Sequence, residues 1–383
     1  MKARVSYTIS ASTKALLRRH HHSTCPGPAT MSTTQPTLRW GIIATGLISS
    51  WFVADLSLPR TNAQAKHIIQ AVGSSSQEKG KAFVDKHLPG ISPAIYGSYK
   101  EVYADPNVDI VYIGTPHAFH RQNCLDAIAH GKNILCEKAF TLNAAEAREV
   151  FAAAEKKGVF IMEAMWTRFF PLTKTLQSML HSDKVIGDIH RVFCDFAIKQ
   201  DITSQPAESR LRNRALGAGS LLDVGIYSLT CGLLALDPNK GTEARTPKTT
   251  AVQQLVDGID VASSIILLYP GGKQGILTSS TLAKTAPEFC RIEGSKGTII
   301  IEGIASSVPS SFTVVVPGEA PKKYEFERPG KGFYWEADAV ALDIAAGRKQ
   351  SSVMPWAETV RVLDLLDEVR RQGGATFPQE EAT

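Results

Sequence analysis

The chain has 383 residues, 43% apolar and 21% charged, which suits an ordinary folded protein of two domains rather than one. Its net charge of +5 is carried by Lys2, Arg4, Lys14, Arg18 and Arg19 in an acid-free first thirty residues; the remainder holds 37 basic against 37 acidic side chains, so charge gives no reason to expect a nucleic-acid partner. No run of eighteen apolar residues occurs, and no membrane partner is expected.

The Ser/Thr/Arg-rich composition of residues 1–30 fits three readings: a mitochondrial transit peptide, a disordered tail, or an extension upstream of a start at Met31. The six cysteines (25, 124, 136, 194, 231 and 290) form no C-x-x-C pair and no zinc-finger spacing, so reduced thiols and no metal are expected. This places the protein in the cytoplasm, or in the mitochondrion if the leader is real.

From Leu38 onward the pattern alternates between strand and helix. Arg39–Ala44 reads as a strand, Gly46–Leu58 as a helix, Lys66–Val72 as a strand and Gln77–His87 as a helix. Strand Asp109–Ile113, helix Arg121–His130 closed by Gly131, strand Asn133–Cys136, helix Leu142–Lys157 and strand Val159–Met162 follow. This alternation predicts a parallel, doubly wound Rossmann sheet. After about Phe170 the texture becomes strand-rich, with alternating runs at 189–196, 249–256, 261–268, 275–279, 297–301 and 312–316. They predict a C-terminal α+β domain on a large, mostly antiparallel sheet, interrupted by helices over 221–236, 333–346 and 355–372. The expected organisation is an extension over 1–37, a nucleotide-binding domain over 38–165 and a substrate-binding domain over 166–383.

The turn Ala44-Thr45-Gly46-Leu47-Ile48 stands where a dinucleotide fingerprint G-x-G-x-x-G/A would stand, with Ala44 replacing the first glycine and Ser49 at the third position. Alanine is tolerable there if its φ is negative, and Gly46 lets a pyrophosphate approach the helix N-terminus. The second strand ends in Ser74-Ser75-Ser76, with Lys79 one turn on and no acid before Glu78. A carboxylate there would hold a ribose 2′-hydroxyl; hydroxyls and a lysine accept a 2′-phosphate instead, so NADP is the expected cofactor. Thr115-Pro116-His117, His120 and Glu137-Lys138 sit at the carboxyl ends of later strands, where parallel sheets hold their ligands.

Asp223 and Tyr227 follow a glycine-rich segment at i, i+4 spacing on one helix face. An ammonium and a cationic nicotinamide nearby would lower the tyrosine's pKa, and Lys138 is the candidate ammonium, making a proton-transfer pair. His117 and His120 are alternative bases, and purely structural readings stand beside each. Trp166, Arg168 and Phe169, at the junction of the two predicted domains, suit the apolar faces and hydroxyls of a sugar or diol.

Taken together, the Gly41–Ser49 turn, Thr115-Pro116-His117, Cys136-Glu137-Lys138, the 223–227 segment, the 163–171 segment and the 332–339 segment resemble the Gfo/Idh/MocA oxidoreductases. The 163–171 segment resembles the branch holding dimeric dihydrodiol dehydrogenase and fungal NADP-dependent D-xylose 1-dehydrogenases. The resemblance implies Lys138, Asp223 and Tyr227 as the catalytic set, and a homodimer formed through the C-terminal sheet. It also implies oxidation of the anomeric C1 hydroxyl of an aldopyranose, with D-xylose to D-xylono-1,5-lactone as the leading case. A trans-dihydrodiol dehydrogenase, a dicarbonyl reductase and a non-catalytic NADP-binding regulator are the alternatives. Ala139 departs from the family's E-K-P, which leaves the loop's detailed geometry open.

Overall fold

The computed structural model describes residues 35–381. The readings placed on residues 1–34 therefore lie outside the described residues.

The first sheet is wholly parallel. Its strands are β1 (Thr37–Ile43), β2 (Lys66–Gly73), β3 (Ala94–Tyr96), β4 (Ile110–Ile113), β5 (Asn133–Glu137) and β6 (Ile161–Ala164), ordered β3-β2-β1-β4-β5-β6. The order reverses between β1 and β4, so their carboxyl ends flank the crevice where doubly wound sheets bind ligands. Connecting helices are α1 (Leu47–Leu56), α2 (Gln77–His87), α3 (Tyr99–Ala104), α4 (His120–Ala129) and α5 (Ala144–Lys157). Ser76 caps α2 through the Lys79 N–H, Asn143 caps α5 through the Glu146 N–H, and Gly158 closes α5 in the left-handed conformation.

The second sheet holds β7 (Ile189–Ala197), β8 (Lys248–Val256), β9 (Ile259–Leu268), β10 (Gln274–Ser280), β11 (Glu288–Gly294), β12 (Thr298–Gly303), β13 (Pro309–Val315) and β14 (Lys322–Glu325). Its order is β14-β13-β12-β11-β7-β10-β9-β8, antiparallel throughout except for the parallel pair β7–β10. Both sheets match the expected fold class. The alternation rule missed β11 because a bulge between Glu288 and Cys290 breaks its period of two. It missed β3, only three residues long, for want of enough positions to show a pattern.

After β6 comes α6 (Pro171–Gln177), between β7 and β8 comes α7 (Ile226–Leu236), and after β14 come α8 (Phe333–Ala345), α9 (Trp356–Gly373) and α10 (Pro378–Glu381). The stretch Arg214–Leu236, which ends in α7, is apolar and long enough to cross a membrane, yet 78% of its most apolar window is buried inside the fold. Its apolarity is that of a helix packed on all sides. Polar groups tie the late helices to the early sheet. The Asp55 carboxylate accepts the N–H groups of Lys331, Gly332 and Phe333 at the start of α8. Asp338 of α8 accepts from Arg60 at 2.9 Å and meets His67 at 2.9 Å.

Candidate active site

The first turn is shaped by backbone. Ala44 has φ +75°, not the negative φ expected of an alanine, so the turn keeps the left-handed geometry of the missing glycine. Gly46 stands at the N-cap of α1 with no side-chain cap, and a Cβ built on it would meet nothing within 4 Å. The space above it and the uncapped amides of α1 are what an anion needs. At the end of β2, the Thr45 and Ser74 hydroxyls lie 3.1 Å apart, and Lys79 Nζ donates to Ser75 Oγ at 3.1 Å. Ser75 and Lys79 are exposed, whereas Ser74 is buried. These residues therefore fit a dinucleotide carrying a 2′-phosphate. Gly114 is needed at the end of β4, because a Cβ there would collide with Ser49 of α1.

The second cluster is assembled across the chain. Lys138, at the end of β5, donates to the Asp223 carbonyl oxygen at 2.6 Å and lies 3.2 Å from Asp223 Oδ1. The Lys138–Ala139 peptide bond is cis. Asp223 lies in a π-helical turn, Leu221–Gly225, that leads into α7; Gly225 lets this turn approach Ser279 of β10, whose Oγ would stand 2.9 Å from a Cβ there. Burial alone would raise the Asp223 pKa, but Lys138 and then Arg210 hold its carboxyl well below the usual carboxylate range. Lys138 Nζ sits 5.1 Å from the centre of the Tyr227 ring, within cation–π range. Lysine, aspartate and tyrosine are thus brought together from both halves of the sequence.

Lys138 by itself does not tune Tyr227 downward. Burial first, then Glu137, pushes the phenol well above its ordinary pKa of 10, and the hydrogen bond from Trp166 opposes this. Lys138 lies over the ring face, while the hydroxyl accepts the Trp166 Nε1–H at 2.6 Å. The phenol is therefore held protonated.

His117 and His120 are not bases in this arrangement. Burial, followed by His120 and Lys138, lowers His117 to about 3, and its Nδ1 meets the Gly217 carbonyl at 3.1 Å. His120 is completely buried, and its two ring nitrogens meet the carbonyls of Thr115 and Ala139. It braces the Thr115 loop against the Lys138 loop and cannot touch a cofactor with its ring. Glu137 is likewise buried; it accepts the Tyr112 hydroxyl at 2.6 Å, and burial raises it to about 7 against the pull of Tyr112 and Lys138.

Two of the expected substrate residues are also turned inward. Arg168 is buried in an ion pair with Glu358 of α9, which Arg361 also engages, and Phe169 lies wholly in the core. The short 3₁₀ turn Trp166–Phe169 is buried throughout, so Arg168 and Phe169 serve the fold. Trp166 alone reaches the chemical cluster, stacked on Phe333 with ring centres 4.3 Å apart.

A cleft of about 450 Å³ opens beside Asp223 and His117, lined also by Gln200, Arg210, Gly219 and Thr281. Tyr227 does not line it; the phenol ring borders a separate, mainly apolar cavity of about 490 Å³. Sequence reading missed Arg210, a surface-loop arginine with no motif around it, which lies 3.5 Å from Asp223 Oδ1. It also missed Glu336, fully buried in α8 with neither carboxyl oxygen hydrogen-bonded to the protein.

Comparisons with known proteins fit this geometry. Residues 38–165 match the oxidoreductase family with an NAD-binding Rossmann fold, and residues 174–300 match the GFO/IDH/MocA C-terminal domain. The NADP(+)-dependent D-xylose 1-dehydrogenase of Hypocrea jecorina is 36% identical, over 90% of this chain and 94% of its own length. The trans-1,2-dihydrobenzene-1,2-diol dehydrogenase of Sus scrofa is 37% identical, over 90% of this chain and 99% of its own length. Among solved structures, the aldose-aldose oxidoreductase of Caulobacter crescentus superposes with a TM-score of 0.75 at 22% identity, covering 88% of this chain and 98% of that one, a likeness of fold.

Proposed function

The chain belongs to the Gfo/Idh/MocA oxidoreductase family, and on that premise we propose that it is an NADP-dependent dehydrogenase oxidising the anomeric C1 hydroxyl of an aldopyranose, D-xylose first, to the aldono-1,5-lactone. The observation that carries this reading is the convergence of Lys138, Asp223 and Tyr227 behind a turn that accepts a dinucleotide.

In this reading residues 38–165 bind the cofactor and residues 166–383 supply the substrate side. Gly46 and the first amides of α1 hold the pyrophosphate, Ser75 and Lys79 hold the 2′-phosphate, and Thr115 to His117 line the approach to the nicotinamide. When bound, the nicotinamide supplies the acceptor for the hydride leaving C1. Tyr227 takes the proton of the C1 hydroxyl, which requires that substrate binding open the phenol, here bordering the second cavity and held by Trp166, to the cleft beside Asp223. Asp223 fixes the Lys138 ammonium, which supports the reacting oxygen. Because the phenol is held protonated, oxidation calls for its deprotonation and its rate rises with pH above neutrality.

The same protonated phenol favours a second reading, reduction of a dicarbonyl, since reduction needs a proton donor at that position; turnover of a trans-dihydrodiol, itself an oxidation, rests on the likeness to the dihydrodiol dehydrogenase instead. Supplying D-xylose or a trans-dihydrodiol with NADP or NAD, and following absorbance of the reduced cofactor, separates these readings. Turnover of D-xylose with a marked preference for NADP is expected. Turnover of the diol alone selects the dihydrodiol reading, a clear NAD preference refutes the cofactor assignment, and NADP binding without turnover of any sugar or diol revives the non-catalytic regulator.

The β8–β9 end of the second sheet presents Val252, Ile266 and Leu268 to solvent on one face, which supports pairing of two copies there. Light scattering should give twice the chain mass, and Val252→Lys with Ile266→Lys should give monomer. The five described cysteines are all free, which suits the reducing cytoplasm.

A further inference from the structure

Cys194 on β7, Cys290 on β11 and Cys231 on α7 are scattered in sequence but meet in space. Cys194 and Cys290 face each other directly in the antiparallel β7–β11 register. Cys231 comes down on them from α7, its Sγ 3.7 Å from that of Cys290, and all three sulfurs lie within 4.8 Å of one another. None is in a disulfide, and a 3.7 Å separation is far beyond the roughly 2.05 Å of an S–S bond. We propose that these three cysteines form a binding site for a soft, thiophilic metal ion held by three sulfurs.

The geometry fits such an ion. Three thiolates at about 2.3 Å from one central ion, in a plane with it, stand about 4.0 Å apart, inside the observed range. The donor set also selects. Calcium and magnesium take oxygen ligands, whereas thiolates favour soft ions such as Cu(I) or Cd(II). No histidine, aspartate or glutamate joins the cluster among the described residues, so the fourth protein ligand of a structural zinc site is missing. Cys194 and Cys290 are buried, but Cys231 is partly exposed and borders the apolar cavity of about 490 Å³ together with Thr167, Tyr227, Leu234 and Phe289, which gives the ion a way in. Binding breaks three S–H bonds, forms three metal–sulfur bonds and releases three protons to solvent, with no change of oxidation state.

The test is titration of the full chain with Cd(II) under a non-thiol reductant, reading the sulfur-to-cadmium charge-transfer absorption. One ion per chain is expected. Cys231→Ser and Cys290→Ser should each weaken binding by at least about 100-fold, beyond the 10–100-fold loss typical of an outer partner. Cys124→Ser and Cys25→Ser should leave it unchanged. Loss of binding in those two controls, or retained binding in Cys231→Ser, would overturn the site. If the serine variants fold poorly, X-ray absorption on the wild-type Cd(II) complex decides: a shell of three sulfurs supports the proposal, whereas one or two sulfurs, or no charge-transfer band at all, defeats it.

Discussion

At the Ala44–Leu47 and Ser74–Lys79 turns the protein offers main-chain amides, short hydroxyls and one exposed lysine. At the Lys138–Asp223–Tyr227 junction it offers an ammonium, a carboxylate and a phenol, packed among other buried charges. The first region is open and local: each turn spans a few consecutive residues, and Gly46 has nothing above it. The second is enclosed and non-local, joining residues 85 positions apart. The difference separates binding from chemistry. Damage to the turns should weaken cofactor affinity while leaving the fold and the reacting groups alone; damage to the junction should slow turnover while leaving affinity alone.

The strongest way to break that division is Tyr227→Phe. General acid–base help is worth about 10²–10⁴ in rate, so kcat should fall at least about 100-fold while the Kd for NADP stays put. An unchanged kcat removes the phenol from the reaction. The converse variant is Gly46→Ala. Its backbone, φ −80° and ψ −179°, accepts any residue, and the added methyl meets no protein atom. The methyl should overpack only the bound cofactor, costing about 1–3 kcal/mol of affinity, roughly 5- to 150-fold in Kd, with Tm unchanged. A fall in Tm without a change in Kd would mean that the glycine serves the fold.

A third prediction concerns stability. His117 is buried neutral, its pKa lowered from 6.5 to about 3, so below pH 6.5 the unfolded chain binds a proton that the native state refuses. Stability should therefore drop as pH falls from 6.5 toward 3, by about 1.4 kcal/mol per pH unit for this group. Denaturant titrations of His117→Gln across that range should show a shallower slope; an identical slope would mean that the native His117 takes up the proton. The smallest effect is expected at Ala44. Its φ of +75° is a conformation that favours glycine, so Ala44→Gly should stabilise by roughly 0.5–1 kcal/mol after the glycine's extra chain entropy is counted. A loss of stability would show that the methyl packs usefully.

The same contrast governs what could be read from the sequence. Short-range features were legible: the α2 span of Gln77–His87, the serine-rich end of β2 and the alternation of β7, β9 and β10 all follow from neighbouring residues. What depended on distant neighbours was not. Arg168 and Phe169 suit a substrate pocket by residue type, but α9 supplies Glu358 to hold the arginine inside. The pKa of Tyr227 follows from burial and Glu137, neither visible in the spacing of α7, and the positive φ of Ala44 follows from its turn rather than from its side chain. Three cysteines at 194, 231 and 290 carry no spacing signature because a strand pairing and a helix crossing bring them together.

The most direct test of the reaction itself uses D-xylose carrying deuterium at C1, with NADP and the wild-type chain. Analysis of the reduced cofactor should find the deuterium on nicotinamide C4, with xylono-1,5-lactone as the other product. Deuterium retained in the sugar, or released to water, would contradict direct hydride transfer from the anomeric carbon.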